Sequence, residues 1–176
     1  MTAKLDLVDF AALTPDDIAM ACESAMRACD ASVAAIVAVA DGKRTFANTL
    51  LAMEEAVEPV SQVSGQYAFM AYVSADDALR AAAREWDEKL DKYMVGLSFR
   101  EDLYGAIKAF AATEEAARLT GEDARWLAHE LRDYRRNGFD LPVSERQRVR
   151  ELFDELVGLE VQFRKNIDDY EDGIVV

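Results

Sequence analysis

The single histidine of the chain, His129, opens the run His129-Glu130-Leu131-Arg132-Asp133. On a helix, His-Glu-x-x-His sets two imidazoles one turn apart on a zinc ion, with the glutamate as general base. Here Asp133 stands where the second histidine would be, and no other histidine can complete a ligand set. The expectation is an exposed or half-buried helix histidine among ordinary charges. A di-iron carboxylate bundle needs Glu-x-x-His on two helices, but Trp126 lies three residues before His129. A Gly-rich phosphate loop, a Gly-x-Ser-x-Gly turn and a supported Cys–His pair are all missing from the sequence. Arg135-Arg136 could clamp an anion, although a place at a helix end is reason enough for them. No catalytic residue and no metal ligand is assigned, and no cofactor is expected in this chain.

The two cysteines, Cys22 and Cys29, lie seven residues apart in one helical pattern. Two turns separate their Cα atoms by ~10 Å, beyond disulfide reach. Free, partly buried thiols in a reducing compartment are expected.

The 176 residues are 51% hydrophobic and 31% charged, which suits one domain with one core and argues against disorder. A single helical domain over 1–176 is the expectation. The net charge of −14 argues against nucleic acid, whose phosphates call for clustered Lys and Arg. It argues equally against an anionic membrane surface. The opening MTAKLDLVDF has no basic stretch before an apolar core, and the longest apolar run, Ala34 to Ala40, is far too short to span a bilayer. A cytoplasmic location is the expectation.

The elements that position these residues read as helices. Thr14-Pro15-Asp16-Asp17 is a capping box with proline at the first helical position. Ile18, Cys22, Ala25, Met26, Cys29, Val33, Ile36 and Val37 follow as a helical stripe that Asp41-Gly42 ends. Thr45 opens a second helix, with a kink or break expected at Pro59 and a weak point at Gly65. Tyr67 to Val73 fits helix or strand, and helix is favoured because no partner strand is near. Ser74-Ala75-Asp76-Asp77 predicts a capping box before the stripe Leu79, Ala83, Trp86, Leu90, Tyr93 and Leu97. Ser98 to Glu101 is a joint before a helix carrying Leu103, Ile107 and Phe110, and Thr113 caps a short segment that ends near Leu119.

Thr120 caps a further helix that buries Leu127, Leu131 and Tyr134 and ends at Arg135-Arg136-Asn137-Gly138, with Gly138 as the left-handed cap. After Leu141-Pro142, Ser144 with Gln147 predicts a third box. The last helix carries Val149, Leu152, Phe153, Leu156, Leu159, Phe163, Ile167 and Tyr170. Trp86, Tyr93, Phe153, Phe163 and Tyr170 are expected in the core. The expected fold is an all-α antiparallel bundle of about five to seven helices. Ile174-Val175-Val176 would be extended, like a strand cut off from its sheet.

Several short segments stand in order along the chain: Thr45-Phe46-Ala47-Asn48-Thr49-Leu50, Val73-Ser74 with Leu79-Arg80-Ala81-Ala82, and Asp87-x-Lys89-Leu90. Ser98-Phe99-Arg100-Glu101-Asp102-Leu103-Tyr104 follows, then Tyr134-Arg135-Arg136-Asn137-Gly138-Phe139-Asp140-Leu141-Pro142. Phe163-Arg164-Lys165-Asn166-Ile167 completes the set, which spans nearly three quarters of the chain. In that order the segments resemble the N-terminal helical region of the M3 family of zinc metallopeptidases, the thimet oligopeptidase and neurolysin type, and residues 134–142 are close to the family's Arg-Arg-x-Gly-x-x-Leu-Pro.

The resemblance marks Arg135, Arg136, Asn137, Gly138, Leu141, Pro142, Phe163 and Asn166 as signature residues with a structural part. It implies that this helical part forms one wall of a deep channel that admits short peptides. The zinc site would lie on an opposing C-terminal catalytic domain, the chain's main partner, so the chain alone would be inactive. An apolar face left uncovered would follow, and a dimer through that face is one outcome of it. The alternative is a stand-alone, non-catalytic helical interaction module.

Overall fold

The computed structural model describes residues 8–168 and Tyr170. Those residues form an all-α bundle without strands. Its helices are α1 (Pro15–Val37), α2 (Ala52–Val63), α3 (Met70–Val73), α4 (Asp77–Ser98), α5 (Glu101–Ala111), α6 (Glu114–Ala117), α7 (Gly121–Tyr134) and α8 (Val143–Asp168). The tail Ile174-Val175-Val176 lies outside the described residues.

Local chemistry sets several of the helix starts. The Thr14 hydroxyl accepts the Asp17 N–H while the Asp17 carboxylate accepts the Thr14 N–H at 2.9 Å, so two orphan donors are satisfied at once. Thr45 does the same with Asn48, whose side chain accepts the Thr45 N–H at 2.8 Å. Thr113 caps α6 through the Ala116 N–H. Three predicted caps differ. Asp76, one residue before α4, accepts the Leu79 N–H at 2.8 Å, and Ser74 accepts only the Asp76 N–H. The carboxylate is the stronger acceptor and sits two residues closer to the free donors of α4. Thr120 occupies the cap position of α7 but makes no side-chain cap bond. α8 begins at Val143, so Ser144 is already inside its first turn, and the Pro142 carbonyl accepts from Glu145 and Arg146 instead.

Of the kink or break expected at Pro59, the break does not occur. α2 runs through it, and the lost hydrogen bond is the one to Glu55, whose residue faces solvent. The irregularity falls on either side, as wide π-type turns at Ala47–Leu51 and Ser64–Ala68, the second containing Gly65. Tyr67 to Val73 is helical in all but the Phe69 joint. The C-terminal carbonyls of α1 are closed by a residue the sequence pattern did not single out. The buried Arg44 guanidinium donates to Ile36 O at 3.2 Å and Val37 O at 3.4 Å, and to the Asp41 carboxylate at 3.1 Å.

One core joins α1 to α7. Ile18, Cys22, Cys29 and Val33 of α1 meet Leu50, Val60, Leu79, Leu90, Ile107 and Phe110, all but inaccessible to water. The largest fully buried side chain among the described residues, Phe110, lies edge-on to Phe46 (6.4 Å), which lies edge-on to Trp126 (5.5 Å). Both cysteines are free and fully buried, and burial pushes the Cys22 thiol up to about 11.

α8 is different. Its apolar stripe is expected in the core, yet only Val157 is buried. Leu152, Leu156, Leu159, Phe163 and Ile167, on one face at three- and four-residue spacing, are 48–67% exposed, and Phe153 and Tyr170 are exposed as well. The helix rests on α4 and on the Arg135–Phe139 turn along its opposite side, and no described residue covers the stripe. Trp86 and Tyr93 do pack against the core, each half-buried.

Candidate functional site

His129 to Asp133 lies in the C-terminal half of α7, where 3.6-residue spacing puts His129 and Asp133 one turn apart. His129 is exposed. Asp133 is claimed by cations: Arg132 Nε donates to it at 2.8 Å and Arg136 stands 3.6 Å away, holding its carboxyl below the usual range. The donor set does not fit zinc, because its one carboxylate at ligand spacing is already neutralised. No group of three or more His, Cys, Asp or Glu side chains is placed to hold a metal among the described residues.

Glu130 is the unusual member of the run. It turns inward and accepts a hydrogen bond from Trp126 Nε1 at 3.1 Å. Burial first, then the Asp133 and Glu54 charges, push its carboxyl above the usual range. Sequence reasoning weighed Glu130 only as a zinc-site base. The Trp126–Glu130 spacing of four residues was the available signal.

The signature segment 135–142 makes the joint between α7 and α8. Gly138 is buried with φ +88°, and a Cβ there would stand 3.2 Å from Leu141 Cδ1. Its carbonyl accepts the Leu141 N–H at 2.9 Å, which turns the chain toward Pro142. Asn137 Nδ2 donates to Ser98 O at 3.1 Å and ties the joint to the end of α4. Phe139 stacks among Tyr104, Tyr134 and the Arg146 guanidinium. Arg135 and Arg136 point to solvent, and neither meets the other signature residues Phe163 and Asn166, which lie far along α8. Phe163 is 67% exposed, and Asn166 accepts a hydrogen bond from Gln162 at 2.7 Å.

Polar contacts seat α8 on the body. Arg146 pairs with Glu101, and Phe153 lies edge-on to Phe99 at 5.7 Å. Farther along, Arg164 donates to the Tyr72 hydroxyl at 3.3 Å, and Tyr72 donates to the buried Asp87 carboxylate. Asp91 beside them is pushed up by burial and by the Asp87 charge. Tyr72 lay in a stretch whose periodicity was ambiguous, and its partners are 15 and 92 residues away, so no local pattern could have found the relay. The seat leaves Leu152, Leu156, Leu159, Phe163 and Ile167 exposed along one face of α8.

The fold is therefore an all-α helical bundle with one long helix whose apolar face is uncovered. No protein-family model matches the chain. It is 29% identical over 150 residues to a thimet-like oligopeptidase of Dictyostelium discoideum, covering 84% of this chain and 22% of the relative. It is 27% identical over 135 residues to a probable thimet oligopeptidase of Arabidopsis thaliana, covering 77% and 19%. A mitochondrial intermediate peptidase of Malassezia globosa is 23% identical over 164 residues, covering 93% and 20%. The chain thus spans about a fifth of the length of the curated relatives it matches. It is a region similar to part of these peptidases, in agreement with the resemblance in its motifs at that coarser level. No described helix is long and apolar enough to cross a membrane.

Proposed function

We propose that this chain is the N-terminal, channel-wall helical part of a zinc oligopeptidase of the M3 type, acting on short peptides in the cytoplasm. Its work is to restrict what reaches a zinc site carried by a separate catalytic part. The observation that carries this reading is the ordered similarity over most of the chain to a fifth of each oligopeptidase. Two features support it further. The chain's own histidine run does not fit zinc, and α8 presents an apolar stripe that a catalytic part could cover. Zinc belongs to that part in this reading, where it would activate water and polarise the peptide carbonyl.

The test uses the 176-residue chain and the reading frame around its gene. The expected results are no stoichiometric zinc, no cleavage of a short quenched-fluorescent peptide, and a frame that continues into His-Glu-x-x-His. Chelator-sensitive cleavage by residues 1–176 alone, or a stop codon directly after Val176, would overturn it. The stop codon would favour the second reading, a stand-alone helical interaction module, which the same exposed stripe supports.

A further inference from the structure

A cavity of about 230 Å³ lies between α2, the C-terminal end of α4 and α7. Its floor is the core itself: Val33, Leu50, Leu97 and Leu103, each buried. Its rim carries three carboxylates, Glu54 from α2 and Glu130 and Asp133 from α7, beside the Trp126 indole. Asp133 is neutralised by Arg132 and Arg136. Among the described residues neither Glu54 nor Glu130 has a salt bridge. The arrangement is an apolar chamber with two unneutralised anions at its mouth, the composition of a small-ligand site in which a few polar groups fix orientation.

The charges exclude two of three ligand classes. An anion would meet like charge at the rim. A neutral apolar ligand would seal Glu130 further from water without giving it a partner, which is costly for a charged group. A cation supplies the opposite charge that Glu54 and Glu130 lack, and its apolar body replaces water on the floor. A cavity of ~150 Å³ lined by aliphatic side chains holds benzene, so this one has room for a ring and a short arm. We propose that the cavity binds a small organic cation, an ammonium on an aromatic or branched apolar body. The body lies on Val33, Leu50, Leu97 and Leu103, and the ammonium lies between Glu54 and Glu130. The elevated Glu130 carboxyl fits this, since burial is its first cause and the nearby Glu54 carboxylate adds to it. The site rests on the cavity alone and stands whether or not the chain belongs to a peptidase.

The test is a fluorescence titration of the 176-residue chain carrying Trp86→Phe, so that Trp126 at the rim reports alone. The probes are phenethylammonium chloride, 2-phenylethanol and phenylacetate. Phenethylammonium is expected to saturate the signal with a millimolar or tighter Kd, the alcohol to bind at least about tenfold more weakly (~1.4 kcal/mol), and phenylacetate not to bind. Glu130→Gln and the exposed Glu54→Gln should each weaken the ammonium about three- to tenfold and leave the alcohol unchanged. Because Glu54 faces solvent, its variant tests the site without disturbing the fold. No saturation by about 10 mM ammonium, or equal binding of ammonium and alcohol, overturns the proposal. A tripeptide Phe-Gly-Gly with a free amino terminus, set against its acetylated form, identifies the source of the cation. Binding of the free form only assigns peptide amino termini, and binding of phenethylammonium but neither peptide assigns free amines.

Discussion

The body formed by α1 to α7 and the helix α8 have similar sequence patterns and opposite fates. Both carry apolar residues every three or four positions. In the body the stripes of α1, α4, α5 and α7 converge on one core around Phe110 and Ile107. α8 rests mainly on α4 and one turn, so its stripe from Leu152 to Ile167 faces outward, and its seat joins the buried Val157 and the Phe153–Phe99 contact to the polar contacts of Arg146 and Arg164. Periodicity says that a helix has an apolar face. Whether the face is covered depends on what else is present, and burial rather than pattern carries the stabilising free energy.

Mutations divide the two regions. Phe110→Ala should cost about 3–5 kcal/mol in urea unfolding, because it empties a fully buried site. Phe163→Ala should cost less than about 0.5 kcal/mol. A large loss at Phe163 would mean that its face is covered in solution, and the comparison would fail. The joint between the regions should be next in size. Gly138→Ala is expected to cost about 1–3 kcal/mol, because the new Cβ meets Leu141 at 3.2 Å on a backbone with φ +88°. Thr14→Ala removes one cap from the body, at about 1 kcal/mol, with the same midpoint shift as the check.

The smallest expected effect is electrostatic. The Glu130 carboxyl titrates above its ordinary range in the folded chain, so its charged form opposes folding at neutral pH. Stability should rise as the pH falls through the folded-state value toward the unfolded one, and then level off. Glu130→Gln, which keeps an acceptor for Trp126 Nε1, should be at least as stable as the parent at pH 7 and should lack that rise. Urea midpoints measured between pH 4 and pH 8 decide it, and a rise that persists in the variant would move its origin to another group, Asp91 first.

Much of the fold was legible where a signal is local. The Thr14 and Thr113 caps, the Gly138 turn and the stripe of α1 each rest on residues within a few positions of one another, which the backbone brings together whatever surrounds them. The misplaced features depended on distant groups or on competition between neighbours. Asp76 rather than Ser74 caps α4 because Asp76 directly precedes the helix and reaches the Leu79 N–H, and α2 runs through Pro59 where Glu55, one turn before it, is exposed.

The candidate sites divide the same way. That His129 has no second histidine is a matter of residue identity, so the sequence settled it alone. That Asp133 is held by Arg132 and Arg136 needs only helical spacing. The enclosure of Glu130 and its approach to Glu54, the Arg164–Tyr72–Asp87 relay and the uncovered stripe of α8 join residues from separate helices. Those were decided only by the tertiary structure, because side-chain spacing along one helix fixes which residues share a face but not which face meets another helix, or water.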